Sequence, residues 1–221
     1  MRAPPEERSA TAARILEAAD ELLADVGYEG VSMRDVAERA GVNKALVFYY
    51  FNSKVELFDR VLERYYAAHL AALSGAIEGT GPLRERLHRV VDAYLDFIEE
   101  NRRYPRLIQQ QVAGGDTHHE LIRRNLAPLM GWAERTFSEV APLTGPLAAR
   151  HIFVTFSGIV INYYTYAAVL GPLWGDDPAS PPSLAERRAH VHWMADTVLD
   201  GLESESVAPR LRSYPGPAPT A

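Results

Sequence analysis

The run from Ser32 to Lys54, SMRDVAERAGVNKALVFYYFNSK, constrains this chain more than any other stretch. It reads as two short helices around a glycine turn. Ser32 and Asp35 have the spacing of a capping box, with Asp in the position usually held by Glu. Met33, Val36, Ala37 and Ala40 then recur at helical spacing, so one face of the first helix is buried. Gly41 stands where the helix must end with positive φ, a conformation glycine adopts without steric cost. Val42 plugs the angle between the helices, and Asn43 is a good N-cap for the second. That second helix begins with Lys44 and the small Ala45, and Val47 and Phe51, four apart, face the core. This is the layout of a helix-turn-helix, whose second helix lies in the DNA major groove.

The same residues carry a resemblance. From Ile15 to Leu57, and especially at Gly27, Val36-Ala37, Ala40-Gly41-Val42, Tyr50-Phe51 and Ser53-Lys54, the chain resembles the tetracycline-repressor (TetR) family of transcriptional regulators. The resemblance covers roughly the first quarter of the sequence, and the remainder agrees as an all-helical domain of suitable length. It implies an all-α fold of about nine helices. A three-helix DNA-binding head would precede a larger helical body that binds a ligand and dimerises. The expected DNA surface comprises Ser32, Met33, Arg34, Asn43, Lys44, Ala45, Leu46, Tyr49, Tyr50 and Lys54. Arg34 matches the family's phosphate-contacting position, against the plainer reading of a solvated arginine. Lys44 and Ala45 match its base-reading positions. A lysine there donates to guanine O6/N7 or, as the alternative, to phosphate. Leu46 meets a thymine methyl or sits on the rim. Tyr49 aligns with a backbone-contacting position, Tyr50 is divided between core and DNA, and Lys54 adds charge at a helix N-terminus that already attracts phosphate. Phe48 departs from the family's usual Tyr. It has lost the hydroxyl for a phosphate bond and is expected only to pack.

Charge does not announce a nucleic-acid partner. The 221 residues carry a net charge of -6, and the first 60 hold eight basic against eleven acidic side chains. A test for a generally basic domain therefore fails. Placement answers it in part, because Arg34, Lys44 and Lys54 fall at element ends that would meet phosphate, with most acids on the first helix or outward faces. Few phosphate contacts give a shallow salt dependence. The 47% hydrophobic content suffices for a true core. With no cysteine there is no disulfide framework and no thiolate site, which suits a reducing, cytoplasmic setting. The N-terminal MRAPPEERSATAAR lacks the apolar core of a signal peptide.

Helices are the only elements the periodicity supports. The first covers about 8 to 26, with Ile15, Leu16, Ala19, Leu22, Leu23 and Val26 as its buried stripe and Gly27 at its end. A long connector starts at Ser53 with Glu56 completing a capping box. Pro82 opens a fifth helix, and a sixth follows Pro105 and stops at Gly114-Gly115. Thr117 and Glu120 cap a seventh, which Pro128 is expected to kink. An eighth runs about 147 to 171. A loop from Gly171 to Pro182 precedes a ninth capped by Ser183 and Glu186. The domain expectation is a head over 1–52, a helical body over 53–203 and a disordered tail over 204–221.

Phe153 to Leu170 is 18 residues without a charge, the usual flag for a membrane span. Thr155, Ser157, Asn162, Tyr163, Tyr164, Thr165 and Tyr166 make it too polar to face lipid, so no membrane partner is expected. A helix apolar nearly all round is otherwise buried on most sides, which in a small protein calls for a second subunit. Leu184, Val191, Met194, Val198 and Leu202 form a one-sided seam on the ninth helix. With Phe156, Val160 and Tyr164 they are the expected homodimer interface, and the resemblance implies a four-helix bundle there. A two-fold dimer predicts a palindromic operator in double-stranded DNA, with half-sites about one turn, roughly 34–36 Å, apart.

The resemblance also implies a small-molecule effector. Aromatic density in the fifth to eighth helices fits a flat or apolar ligand. The candidate wall is Tyr94, Phe97, Tyr104, Ile108, Gln111, Trp132, Phe153, Phe156, Asn162, Tyr163 and Tyr166. Each of these also has the plainer reading of a core position. No buried charge obviously awaits a charged ligand, with Arg103, Arg106 and His151 as the cations left open for one. Catalysis finds no support: there is no glycine-rich phosphate loop and no G-x-S-x-G. No cofactor and no metal are expected. His118 and His119 diverge by about 100° on a helix and read as solvated, and His190 and His192 face apart. The functional expectation is a ligand-responsive, sequence-specific regulator, a homodimeric repressor released by its effector. The alternative is a helical ligand-binding or enzymatic protein with a head that binds DNA without sequence preference.

Overall fold

The first helix forms because Ile15, Ala18, Ala19 and Leu23 recur on one face, and all four are buried. It is labelled α1 (Pro5–Gly30), and Gly27, at φ 73° and ψ 173°, breaks its helical path. The stripe ends one turn earlier than its periodicity suggests, at Leu23 and Ala24, and Val26 is 57% exposed. There follow α2 (Met33–Arg39), α3 (Lys44–Tyr50), α4 (Lys54–Glu78), α5 (Leu83–Glu100), α6 (Tyr104–Ala113), α7 (His119–Phe137), α8 (Ala149–Trp174) and α9 (Pro181–Glu203). The computed structural model describes residues 5–113, 118–138 and 140–204, and among these there are nine helices and no strand. Gly114-Gly115, the Thr117 cap and the tail beyond Ser204 lie outside the described residues.

Two expected boundaries move. The eighth helix continues through Pro172 to Trp174 and ends at Gly175, whose left-handed conformation (φ 77°) lets its N–H donate to the Gly171 carbonyl at 2.9 Å. Gly171 is therefore helical, and its lack of a side chain serves packing: a Cβ there would stand 3.0 Å from Cδ of Pro178. The ninth helix is capped by Ser180, not Ser183: the Ser180 hydroxyl accepts from the Ser183 N–H, and Pro181 and Pro182 occupy the first turn. Proline has no N–H to lose at those positions, so a Ser-Pro-Pro start is the better cap. α7 runs unbroken through Pro128.

The chain divides into two compact units. The first joins residues 1–70 to 101–125, and the second joins 71–100 to 126–221. The division falls after Leu70, inside α4. In the first unit α1 packs on α2 and α6, and α2 on α3. Its interior includes Leu57, Phe58, Val61 and Leu62 of α4 with Tyr104 and Leu107 of α6. Asp20, almost fully buried on α1, accepts from the Tyr65 hydroxyl at 2.8 Å and from Arg103 at 3.0 Å. Burial, with the Asp20 charge adding to it, pushes the Tyr65 hydroxyl far up from its ordinary range, so it serves as a fixed donor.

In the second unit α5 packs on α9 around a charged seam. Arg84 binds Asp196 and Asp200, and Arg188 binds Asp92, Asp96 and Glu99. His88 meets Asp196 and His192 meets Asp92, each at 2.8 Å, with the two imidazole rings 4.6 Å apart. α8 buries only Ala149, Ile152, Val160 and Gly171 within the chain. It is the described helix long and apolar enough to cross a membrane by length and composition. Its apolar surface is therefore mostly uncovered, not buried on most sides.

The two units differ in charge. The first holds fourteen basic and fourteen acidic residues, because residues 101–125 bring five arginines against two acids. The whole excess of -6 belongs to the second. The acidic balance of the first 60 residues is thus corrected by a distant segment that folds onto them.

Candidate nucleic-acid interface

Short-range hydrogen bonds shape α2 and α3. The Ser32 N–H donates to the Asp35 carboxylate at 2.8 Å and the Ser32 hydroxyl accepts from the Asp35 N–H at 3.3 Å. The Ser32 bonds, side-chain and backbone, hold the Asp35 carboxyl below its ordinary range. At the other end of α2 the Val42 N–H donates to Ala37 and the Gly41 N–H to Glu38, the Schellman pattern, with Gly41 at φ 64°. Asn43 then caps α3 by accepting from the Leu46 N–H at 2.8 Å. Glu56 reaches back to the N–H and amide of Asn52, while the Ser53 hydroxyl accepts from the Glu56 N–H. These contacts fix where α3 points before any distant packing is considered.

Val47 is fully buried and Phe51 nearly so, which pins one face of α3 to the core. The outer face carries Lys44, Ala45, Phe48 and Tyr49, all exposed, with Leu46 and Tyr50 half-buried at its flanks. Ser32, Arg34 and Asn43 are exposed as expected. Met33 is a correction: its side chain is 7% exposed and packs inward, because it starts the buried stripe of α2. Lys54 is half-buried, with Nζ 4.2 Å from the centroid of the Tyr28 ring. Phe48 is the second correction. It was expected only to pack, yet it is 41% exposed, and Nζ of Lys44 lies 5.6 Å from its ring centroid. The signal was available in the sequence: residues 44 and 48 are one turn apart on a helix, so their side chains are neighbours.

Besides Asp20, two further acids of α1 are engaged. Glu21 pairs with Arg39 at 2.9 Å, and Glu17 with Arg103 at 3.4 Å and Arg64 at 3.6 Å. His118 is not the solvated residue the sequence suggested. It is 3% exposed, its Nδ1 is 2.7 Å from Asp59, and its ring meets Tyr28 edge-on at 4.9 Å.

The expected effector residues divide between the units. Tyr104, Ile108 and Gln111 lie in the first; Tyr94, Phe97, Trp132, Phe153, Phe156, Asn162, Tyr163 and Tyr166 lie in the second. Gln111 is buried, and its Nε2 has no partner among the described residues. Tyr163 donates to the Pro178 carbonyl at 3.0 Å and stacks under Arg187, which is a structural role. Tyr166 and Asn162 are exposed. Of the expected dimer residues, Val160, Leu184 and Val191 are interior, at 2%, 8% and 0% exposed. They are spent on packing inside the unit and leave nothing for a partner. Phe156, Tyr164, Met194, Val198 and Leu202 stay half-exposed, while Val154, Tyr166, Val169, Leu173, Trp174 and Trp193 are the large apolar side chains left uncovered on α8 and α9.

A capped helix pair with a pinned inner face and a cationic, aromatic outer face defines a helix-turn-helix DNA-binding protein. Residues 15–61 match the sequence profile described as bacterial regulatory proteins, tetR family, and over these residues the chain is similar to that family. It is 37% identical over 107 residues to the HTH-type transcriptional activator FasR of Mycolicibacterium smegmatis, covering 48% of each chain. The match therefore spans about half the length of that relative. Two solved structures share the fold. The fatty acid degradation regulator FadR from Bacillus halodurans superposes with a TM-score of 0.66 at 16% identity, over 93% of this chain and 100% of that one. AibR in complex with isovaleryl coenzyme A and operator DNA does so with a TM-score of 0.68 at 19% identity, over 83% and 97%.

Proposed function

We propose that this chain is a cytoplasmic, ligand-responsive and sequence-specific transcriptional regulator. It acts as a homodimeric repressor released from a palindromic operator by a small, largely apolar or aromatic effector. The observation that carries this reading is the outer face of α3, where Lys44, Ala45 and Tyr49 are exposed while Val47 and Phe51 anchor the helix. A recognition helix reads base edges from such a face. The neutral charge of the first unit supports it, since no excess of acid opposes approach to phosphate.

Dimerisation is supported by the uncovered apolar side of α8. Val154, Tyr166, Val169 and Leu173 fall in one sector of about 120°, with the buried Val160 on the far side of the helix. A contiguous apolar face of that kind marks an interface. The effector reading is supported by buried Gln111, whose Nε2 has no partner among the described residues. Acyl thioesters join the effector candidates because AibR, which shares the fold, is seen with one.

The resemblance to FasR, named as an activator, favours a second reading in which the bound regulator recruits transcription. Selection of bound sequences from a random duplex pool, at two salt concentrations, tests the shared part of both. One palindrome with half-sites a helical turn apart is the expected result. Recovery of no motif overturns the sequence-specific reading. A reporter driven from the recovered site then separates repression from activation.

A further inference from the structure

An exposed phenylalanine on a helix that caps and packs this well has a reason to be outside. Val47, its neighbour, is fully buried, so α3 had a core position to offer and Phe48 is not in it. Lys44 lies one turn earlier on the same side, its ammonium over the Phe48 ring. Ala45 between them is exposed and too small to screen either. A lysine ammonium over an aromatic face is attracted by the ring quadrupole, so a flexible cation is held in one place. A phenyl ring has neither donor nor acceptor, so Phe48 cannot bond phosphate. The apolar feature of the major groove is the 5-methyl group of thymine, and phenylalanine is among the side chains that meet it.

We propose that Lys44 and Phe48 act as one base-reading unit. The Phe48 ring holds the Lys44 ammonium toward guanine O6/N7, and its free edge meets a neighbouring thymine methyl. This rests on the reading that α3 enters the major groove. Four residues of helix rise about 6 Å, and stacked bases are about 3.4 Å apart. The guanine and the thymine therefore lie within two base pairs of each other in every half-site.

The test uses the full chain and the duplex it selects from a random pool. Each thymine is replaced in turn by deoxyuridine, which removes only the methyl, and each guanine by 7-deazaguanine, which removes only the N7 acceptor. Wild-type protein is expected to lose about 4-fold in affinity at one deoxyuridine position per half-site, the worth of one buried methyl. It should also lose affinity at one 7-deazaguanine within two base pairs. Phe48→Ala should be indifferent to that deoxyuridine and show a reduced penalty at the deazaguanine. Lys44→Ala should lose only the guanine sensitivity. Wild-type indifference to every deoxyuridine overturns the inference, and so does an undiminished deazaguanine penalty in Phe48→Ala. Binding to the selected duplex no tighter than to random DNA overturns the underlying reading as well. The wild-type arm needs no variant to fold, and the random-duplex affinity of Phe48→Ala reports whether that variant is intact.

Discussion

Asp59 on α4 lies 2.7 Å from Nδ1 of His118, just ahead of α7, and 59 residues of chain separate them. His118 is interior while the Asp59 side chain is 35% exposed, so water can reach one partner and not the other. The pair ties the approach to α7 onto the first unit, with the imidazole also edge-on to Tyr28. His118→Ala removes the charge-assisted bond and a packed ring together. It should destabilise the protein by about 2–3 kcal/mol in urea unfolding. His118→Phe, which keeps the ring, should cost less. Equal costs would show that the packed ring contributes nothing beyond the hydrogen bond.

The caps make a second prediction. Ser32→Ala and Asn43→Ala each remove a side-chain acceptor from a seven-residue helix. Each should cost about 1 kcal/mol, a fall of roughly 2–4 °C in Tm for a chain of this size. Calorimetry of the two variants measures it directly.

Lys44→Ala should weaken binding to the selected operator by more than it weakens binding to random duplex. A bidentate base contact is worth about 1–3 kcal/mol of discrimination. Gel shifts on both duplexes at one salt concentration compare the losses, and equal losses would reduce Lys44 to a phosphate contact.

His69, buried on α4 with its ring 5.8 Å from that of Tyr104, supplies the pH dependence. Burial pushes its pKa down from 6.5 to about 4. Between those values the unfolded chain takes up a proton that the folded chain refuses, so stability falls as pH drops from about 6.5 to about 4. Below that both states are protonated and this loss stops. The full effect is on the order of 3 kcal/mol. Urea midpoints across that window should slope for wild type and flatten for His69→Gln; an unchanged slope would assign the effect to other groups.

The uncovered side of α8 predicts the oligomeric state. Val169→Glu places a charge on an exposed apolar position and disturbs no core contact. Sedimentation should show wild type as a dimer and the variant shifted toward monomer. A monomeric wild type would remove the dimer from the reading.

What the sequence made legible was local. Ser32 with Asp35, Gly41, and Asn43 with Leu46 are partners within three residues, so their spacing alone announces the head. The extent of the head's unit was not legible, because residues 101–125 join it through contacts such as Arg103 to Asp20, 83 positions away. Periodicity found the apolar faces of α8 and α9 but could not tell a face that packs on its own chain from one left for a partner. It therefore placed Val160, Leu184 and Val191 on a partner's surface although they fill the interior. Phe48 was misjudged for the opposite reason: aromatic residues were assumed to pack, and this one stands beside a lysine on the outer face.

The split of charge between the units gives the molecule a direction. A duplex repels the unit that holds all six surplus negative charges and leaves the other indifferent at long range. Encounters are thereby sorted by orientation before any base is touched. Added salt, which shortens the reach of that repulsion to about 10 Å at 0.1 M, weakens the sorting along with the attraction of individual lysines and arginines for phosphate. Association and dissociation then respond to ionic strength through different parts of the same chain.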